Sequence, residues 1–171
     1  LVLVRHAHAV ARGEWSGADP LRPLSAEGER RSAALVPVLS AYGVSRVLTS
    51  PSERCLRTVE PFTDAAGVRL RTRTGLSEEG FEADPRTAPA HLGRLLDRGE
   101  PAVLCTHGPV LPSLLDDLEG RLDLDQPASV EVIEEFAEAR DDRLAKGEAL
   151  VCHIVGTGDD ARIVAGERHL P

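Results

Sequence analysis

Short strand-like stretches recur along the chain, at Leu1–Val4, Val44–Leu48, Val68–Arg71, Ala102–Cys105, Ala149–Val155 and Ala161–Ala165. Leu1–Val4 and Ala102–Cys105 are continuous apolar runs, the pattern of a strand covered on both faces in a parallel sheet. Helical periodicity fills most of the intervals between them. Ser25 opens a helix through about Tyr42, with Ala33, Leu35, Val36 and Leu39 on one face and Gly43 as its stop. Thr49–Ser52 forms a turn and cap for a second helix that runs to about Ala66 and stops at Gly67. Pro37 and Pro61 fall inside these two helices, where a missing N–H predicts a kink or an early break. A loop carrying Gly75, Gly80 and Pro85 precedes a helix around Ala90–Leu96, another helix starts at His107-Gly108-Pro109 and runs to Leu118, and a polar stretch spans Glu119–Pro127. Val130–Lys146 is predicted helical with Val132, Ile133, Phe136 and Ala139 on one side, and the last two strands form a hairpin around Gly156–Gly158 that gives the sheet one antiparallel edge. Strands alternating with helices predict an α/β fold, three-layer α/β/α with a mostly parallel central sheet.

A chain of 171 residues fits one domain, residues 1–171, large enough to bury a normal core. With 42% hydrophobic and 28% charged residues the composition is globular, and no apolar run approaches the roughly 20 residues of a membrane span. There is no signal-peptide pattern. The net charge of -8 argues against a nucleic acid polymer as partner. Cys55, Cys105 and Cys152 are far apart and odd in number, which fits reduced, structural cysteines and a cytoplasmic location. Methionine is absent and Leu1 is not a residue that permits initiator removal, so the expectation is either a few further upstream residues or a longer protein of which this is one domain.

Candidate chemistry gathers at the predicted strand ends, where open α/β sheets bind ligands. Arg5 and His6 follow the first strand; Thr49, Ser50, Arg54 and Arg57 follow the second; Glu78 and Glu79 follow the third; Thr106 and His107 follow the fourth. Arginine forks beside helix N-termini make an anion site, and a tetrahedral, multi-donor anion is phosphate. His6 and His8 form an HxH pair that binds metal in barrel hydrolases, but those barrels need about 250 residues, so no metal is assigned.

Four blocks carry a resemblance: Leu3–Ala7 (Leu-Val-Arg-His-Ala), Ser50–Thr58 (Ser-Pro-Ser-Glu-Arg-Cys-Leu-Arg-Thr), Leu76–Glu78 (Leu-Ser-Glu) and Cys105–Gly108 (Cys-Thr-His-Gly), together with Pro23-Leu24-Ser25-x-x-Gly28. In this order, and over essentially the whole chain, they resemble the histidine phosphatase superfamily with its phosphoglycerate-mutase-like fold. Ala7 in place of the commoner glycine is similar to the short SixA-like branch, although the acidic Leu-Ser-Glu-Glu block is less typical there. Leu76–Phe81 and Pro101–Pro112 look like the C-terminal phosphatase domain of actinobacterial MutT-type proteins, whose upstream Nudix domain has no counterpart in these residues. The resemblance implies a metal-independent phosphohydrolase acting through phosphohistidine on small phosphorylated metabolites or nucleotides, with no cofactor. His6 would be the nucleophile; Arg5, Arg54, His107 and the Gly108 amide would hold the phosphoryl oxygens; and Glu78 would be proton donor and then base. Arginine charge would keep His6 neutral. The alternatives are a phosphohistidine-protein phosphatase, and a phosphate-ligand or partner-binding module of a Nudix protein.

Several residues keep two readings. Arg57 faces either the site or a surface carboxylate, and Glu79 rivals Glu78 as proton donor. Arg12 and Arg22 touch either a substrate's distal groups or solvent. Trp15 and Phe81 serve either base stacking or lid packing. His8 is read as a loop residue, His91 and His169 as exposed, His153 as a non-catalytic strand residue, Cys105 as a small buried hydrophobe, and Glu131–Glu138 as a solvated helix face.

Overall fold

The computed structural model describes residues 1–123, 129–141 and 144–171. Among these, six strands form one sheet in the order β3-β2-β4-β1-β5-β6. The strands are β1 (Val2–Arg5), β2 (Arg46–Thr49), β3 (Leu70–Thr72), β4 (Ala102–Thr106), β5 (Ala149–Val155) and β6 (Arg162–His169). The pairs β3/β2, β2/β4 and β4/β1 are parallel, while β5 runs antiparallel to both β1 and β6. The predicted hairpin is therefore present, but its antiparallel strand is β5, one place in from the edge. β6 reaches His169 rather than Ala165 because it pairs with β5 along its whole length, a non-local cause that its polar tail hides.

Alternating side chains divide the core in two. Val2, Val4, Val47, Val103, Cys105, Ala149 and Val151 pack under α1 (Ala26–Ala41) and α2 (Glu53–Ala66). Leu3, Leu48, Ala102, Leu104, Leu150 and Cys152 face the other way, onto a layer that includes α4 (Thr87–Arg98), α5 (Leu111–Glu119) and α6 (Ser129–Asp141). This period of two on a sheet covered on both sides is what makes the central strands continuously apolar.

Neither proline breaks its helix. Pro37 is exposed, as is Ala33, so the carbonyl that loses its donor faces water. At Pro61 the carbonyl left without an i+4 donor is that of Arg57, and the buried Ser32 hydroxyl of α1 lies 2.6 Å from it. A side chain of one helix thus replaces the missing N–H of the next.

Other expectations shift. Ala33 and Ile133 turn outward; the buried faces are Gly28, Ser32, Leu35 and Leu39 in α1 and Val132, Phe136 and Ala139 in α6. The helix predicted to Lys146 ends by Asp141 among the described residues; Arg143 and its neighbour at 142 lie outside them, as do residues 124–128 of the polar stretch. The loop around Gly80 contains a short helix, α3 (Glu78–Ala83), capped by the Ser77 hydroxyl, which accepts from Gly80 N–H at 3.0 Å. Helix α5 begins at Leu111, not at His107, which puts Pro112 in its first turn where no N–H is needed. No helix of the described residues is long and apolar enough to cross a membrane.

Candidate active site

The C-terminal ends of β1, β2 and β4 lie side by side, and the ladder continues past them. His6 N–H donates to Thr106 O at 3.0 Å and Ser50 N–H to Cys105 O at 3.1 Å. These bonds fix the backbone under both histidines. The loop after His6 is then pinned to the start of α1, with Ser25 N–H donating to the His8 carbonyl at 2.8 Å. A Cβ at Gly28 would run into that same carbonyl oxygen, so only glycine allows the helix to sit so close.

His6 is 6% exposed. Its Nδ1 lies 2.7 Å from the Ala7 carbonyl oxygen. A carbonyl only accepts, so Nδ1 carries the proton and Nε2 keeps its lone pair. The His6 pKa is lowered from its ordinary 6.5 to about 3, chiefly by burial, with smaller contributions from His107, Arg54 and Arg5. Desolvation, rather than the arginine charge expected from the sequence, is the larger cause of the neutral ring. Ala7 N–H donates to Thr58 Oγ1 at 2.9 Å, and Thr58 Oγ1 donates to the Arg54 carbonyl at 2.6 Å, tying the strand end to the first turn of α2.

The His107 ring centroid lies 5.1 Å from that of His6, edge to face. His107 is fully buried, with Nε2 2.8 Å from Ser50 Oγ and Nδ1 3.3 Å from Glu78 Oε1. With the Ser50 hydroxyl donating to Nε2, Nδ1 carries the proton and faces Glu78 at close range, though without hydrogen-bond geometry. Burial lowers the His107 pKa despite the attraction of Glu78.

Arg54 is 1% exposed, and its fork is held by two carboxylates: Nη1 is 3.1 Å from Asp19 Oδ2 and Nη2 is 3.2 Å from Glu78 Oε1. Its Nε, also buried, makes no hydrogen bond among the described residues. The close approach of His107 and the charge of Arg54 lower the Glu78 pKa to about 2, against partial burial that would raise it. In this arrangement Glu78 is a carboxylate. Arg5 donates from Nη1 to the Leu144 carbonyl at 2.7 Å, and its Nη2 lies so near Gly108 that a Cβ there would be 3.0 Å away. Gly108 belongs to the turn before α5, whose hydrogen bonds run from Val110 and Leu111 N–H to the His107 carbonyl.

His6, Arg54, Glu78 and His107 thus form one connected cluster, and Arg5 joins it through Gly108. Arg57 stands outside: it is exposed on α2 and pairs with Glu53 at 2.8 Å and Glu60 at 3.0 Å. An i+3 step from Arg54 turns it to solvent, whereas the i+4 step brings Thr58 inward. Glu79 is exposed and lines a cavity of about 420 Å³ together with Arg12, Trp15, Asp19, Arg22 and Glu78. Trp15 is fixed there by its indole N–H, which donates to Ala18 O at 3.0 Å, and by Gly17, where a Cβ would meet the ring at 2.8 Å. Phe81 instead packs on the core. Asp19, Ser50 and Thr58 are site residues to which the sequence alone assigns no role. Ser50 and Thr58 stood inside a quoted block, but Asp19 is 35 residues from Arg54 and carried no local signal.

Cys55 Sγ lies 3.4 Å from His107 Nε2, and burial pushes its pKa up, so it is a thiol. Cys105 is fully buried. His8 is 3.7 Å from Glu27. Among the described residues no group of three or more His, Cys, Asp or Glu side chains is placed to hold a metal ion.

Residues 1–87, which include Arg5, His6, Arg54 and Glu78, match the model of the histidine phosphatase superfamily (branch 1). The chain belongs to this superfamily. Over 116 residues it is 32% identical to an 8-oxo-(d)GTP phosphatase of Mycolicibacterium smegmatis, a match that covers 68% of this chain and 36% of that protein. Among solved structures, the fold resembles the protein histidine phosphatase SixA in complex with tungstate (TM-score 0.67, 19% identity, 96% of this chain and 94% of that one). It also resembles a mycobacterial glucosyl-3-phosphoglycerate phosphatase (TM-score 0.66, 16% identity, 98% and 96%).

Proposed function

We propose that the chain hydrolyses phosphate esters or anhydrides of small metabolites or nucleotides through a phosphohistidine at His6, without a metal. The observation that carries this reading is the state of His6: a neutral, buried ring with its Nδ1 proton bound to Ala7 O, so that Nε2 has the free lone pair. The neighbouring donors of Arg5, Arg54 and His107 suit the phosphoryl oxygens, where charge develops in the transition state.

In the proposed sequence the phosphoryl group takes over the Arg54 and His107 donors that Glu78 now shares. Its negative charge beside Glu78 then raises that carboxyl's pKa, and the carboxyl becomes protonated. Nε2 attacks phosphorus, the P–O bond to the leaving group breaks, and Glu78 gives its proton to the departing oxygen. Glu78, again a carboxylate, next takes a proton from water as the water oxygen attacks phosphorus. The N–P bond breaks, returning neutral His6 and inorganic phosphate. Nucleotides are favoured as substrates by the 32% identical relative, named for 8-oxo-(d)GTP, and by the cavity beside Glu78 with a fixed indole in its wall.

The test is a phosphatase panel of nucleoside mono- and triphosphates, sugar phosphates, phosphoglycerate and a phosphohistidine protein, run with and without EDTA on the wild type and on His6→Ala. Turnover that resists EDTA and vanishes in His6→Ala is expected. Full activity in His6→Ala, or complete loss with chelator, would overturn the mechanism, and a preference for the phosphohistidine protein would overturn the substrate class.

A further inference from the structure

A second cluster of cationic groups lies away from the site just described. Arg46, Arg71, Arg73, Arg94, Arg98 and His91 line a cavity of about 250 Å³ between the edge strand β3 and helix α4. It shares no lining residue with the cavity beside Glu78. Three strand positions separate β3 from β1, about 14 Å at the usual strand spacing.

Its charge is unusual for this chain. The molecule carries -8 overall, and Arg22, Arg31, Arg57, Arg86 and Arg168 all meet carboxylates. In this cavity only Arg46 does, with Glu100 at 2.6 Å. Arg73 donates to its neighbour's carbonyl, Thr72 O, and Arg94 to His91 Nδ1 at 3.2 Å. Arg71 and Arg98 make no hydrogen bond or close ion pair among the described residues, though Glu100, which pairs with Arg46, attracts Arg98 at longer range. Asp97 is the single carboxylate in the lining. Because a guanidinium cannot accept, His91 Nδ1 must, which leaves Nε2 as a further N–H donor. Contrary to the exposed position expected from the sequence, His91 is half-buried, with its pKa lowered by burial and then by Arg94 and Arg73.

Arg71, Arg94 and Arg98 are exposed, so water screens part of their mutual repulsion, and an anion seated among them would offset the rest. Protection of a sheet edge accounts for charge on β3, but not for Arg94 and Arg98, which reach the same cavity from α4. We propose that this cavity is a second anion site that takes an oligophosphate, two or three linked phosphoryl groups either free or as part of a nucleotide. Arginine forks match phosphate oxygens in pairs. A short phosphate chain concentrates the required charge within a cavity of this size.

The test is calorimetric titration of sodium tripolyphosphate into the wild type, Arg54→Ala and the double variant Arg71→Ala/Arg98→Ala, with ATP as a second probe to separate free from nucleotide-borne phosphate. Arg54→Ala should retain one tripolyphosphate site whose affinity falls as salt rises. The double variant should lose at least tenfold in affinity at that site while turning over p-nitrophenyl phosphate like the wild type. Arg94→Gln alone should weaken the site in the same direction if the double variant folds poorly. Tripolyphosphate binding that disappears in Arg54→Ala, or that survives unchanged in the α4 and β3 variants, would overturn the proposal. Equal competition by a poly-glutamate peptide would overturn the ligand class.

Discussion

A histidine in water is half protonated near pH 6.5, and a protonated ring cannot attack phosphorus. At position 6 burial suppresses the charge and one backbone carbonyl selects the tautomer. Histidine-selective NMR should therefore find His6 neutral and Nδ1-protonated from pH 8 down to about pH 4; a midpoint near 6.5 would contradict the geometry. Glu78 is the complementary case, held as a carboxylate by His107 and Arg54. Glu78→Gln should slow turnover of alkyl phosphates by about 10²-fold or more, the usual range for a lost general acid. It should spare the first-turnover burst on p-nitrophenyl phosphate, whose leaving group needs little protonation, and it should tighten vanadate binding by removing a competitor for Arg54. Equal slowing of both substrates in the burst would argue against a proton-donor role. Ser32 makes a purely structural prediction. Ser32→Ala should cost about 1–3 kcal/mol by leaving the Arg57 carbonyl unpaired, and Pro61→Ala in that background should recover much of the loss in urea unfolding by restoring the backbone N–H.

At the scale of elements, the parts of the fold that were legible in the sequence are those whose causes are local. β1 and β4 announce themselves as apolar runs because both faces are covered, and Gly67 ends α2 at positive φ, a conformation that other residues resist. The intact α1 and α2 could not be read from Pro37 and Pro61, since the rescue of Pro61 comes from another helix. Short α3 was hidden among glycines: it depends on the Ser77 cap and on Gly80 fitting beneath the Thr74 carbonyl. The site was legible to the same extent. Arg5, His6, Arg54, Glu78 and His107 follow strands or open helices, so topology gathers them, whereas Asp19 comes from a loop and Arg57 was separated from Thr58 only by one step of helix rotation. Gly28→Ala should push the loop bearing His8 off α1, lowering both the melting temperature and kcat. A variant of unchanged stability and activity would show that this contact does not position the loop.

For the molecule as a whole, His6 and Glu78 shift in senses that weaken the fold in acid. The unfolded chain protonates His6 below about 6.5, while the folded chain resists until about pH 3. Stability therefore falls as pH drops through that window, at about 1.4 kcal/mol per pH unit for such a group. Glu78 adds stability above its ordinary 4.5 that is lost as pH falls toward 2, and His107 shifts in the same direction as His6. Urea unfolding between pH 7 and pH 4 should show this slope, and His6→Gln should flatten it; identical slopes in the two proteins would mean that position 6 is not the linked group.

The central claim is that His6 carries the phosphoryl group between two half-reactions, and rapid quench of a turnover mixture tests it most directly. With γ-labelled nucleotide or labelled phosphate ester, mass spectrometry of the quenched protein should find one alkali-stable, acid-labile phosphoryl group on His6, absent from His6→Ala. Turnover without any phosphorylated protein, or a label on another residue while His6→Ala remains active, would contradict it.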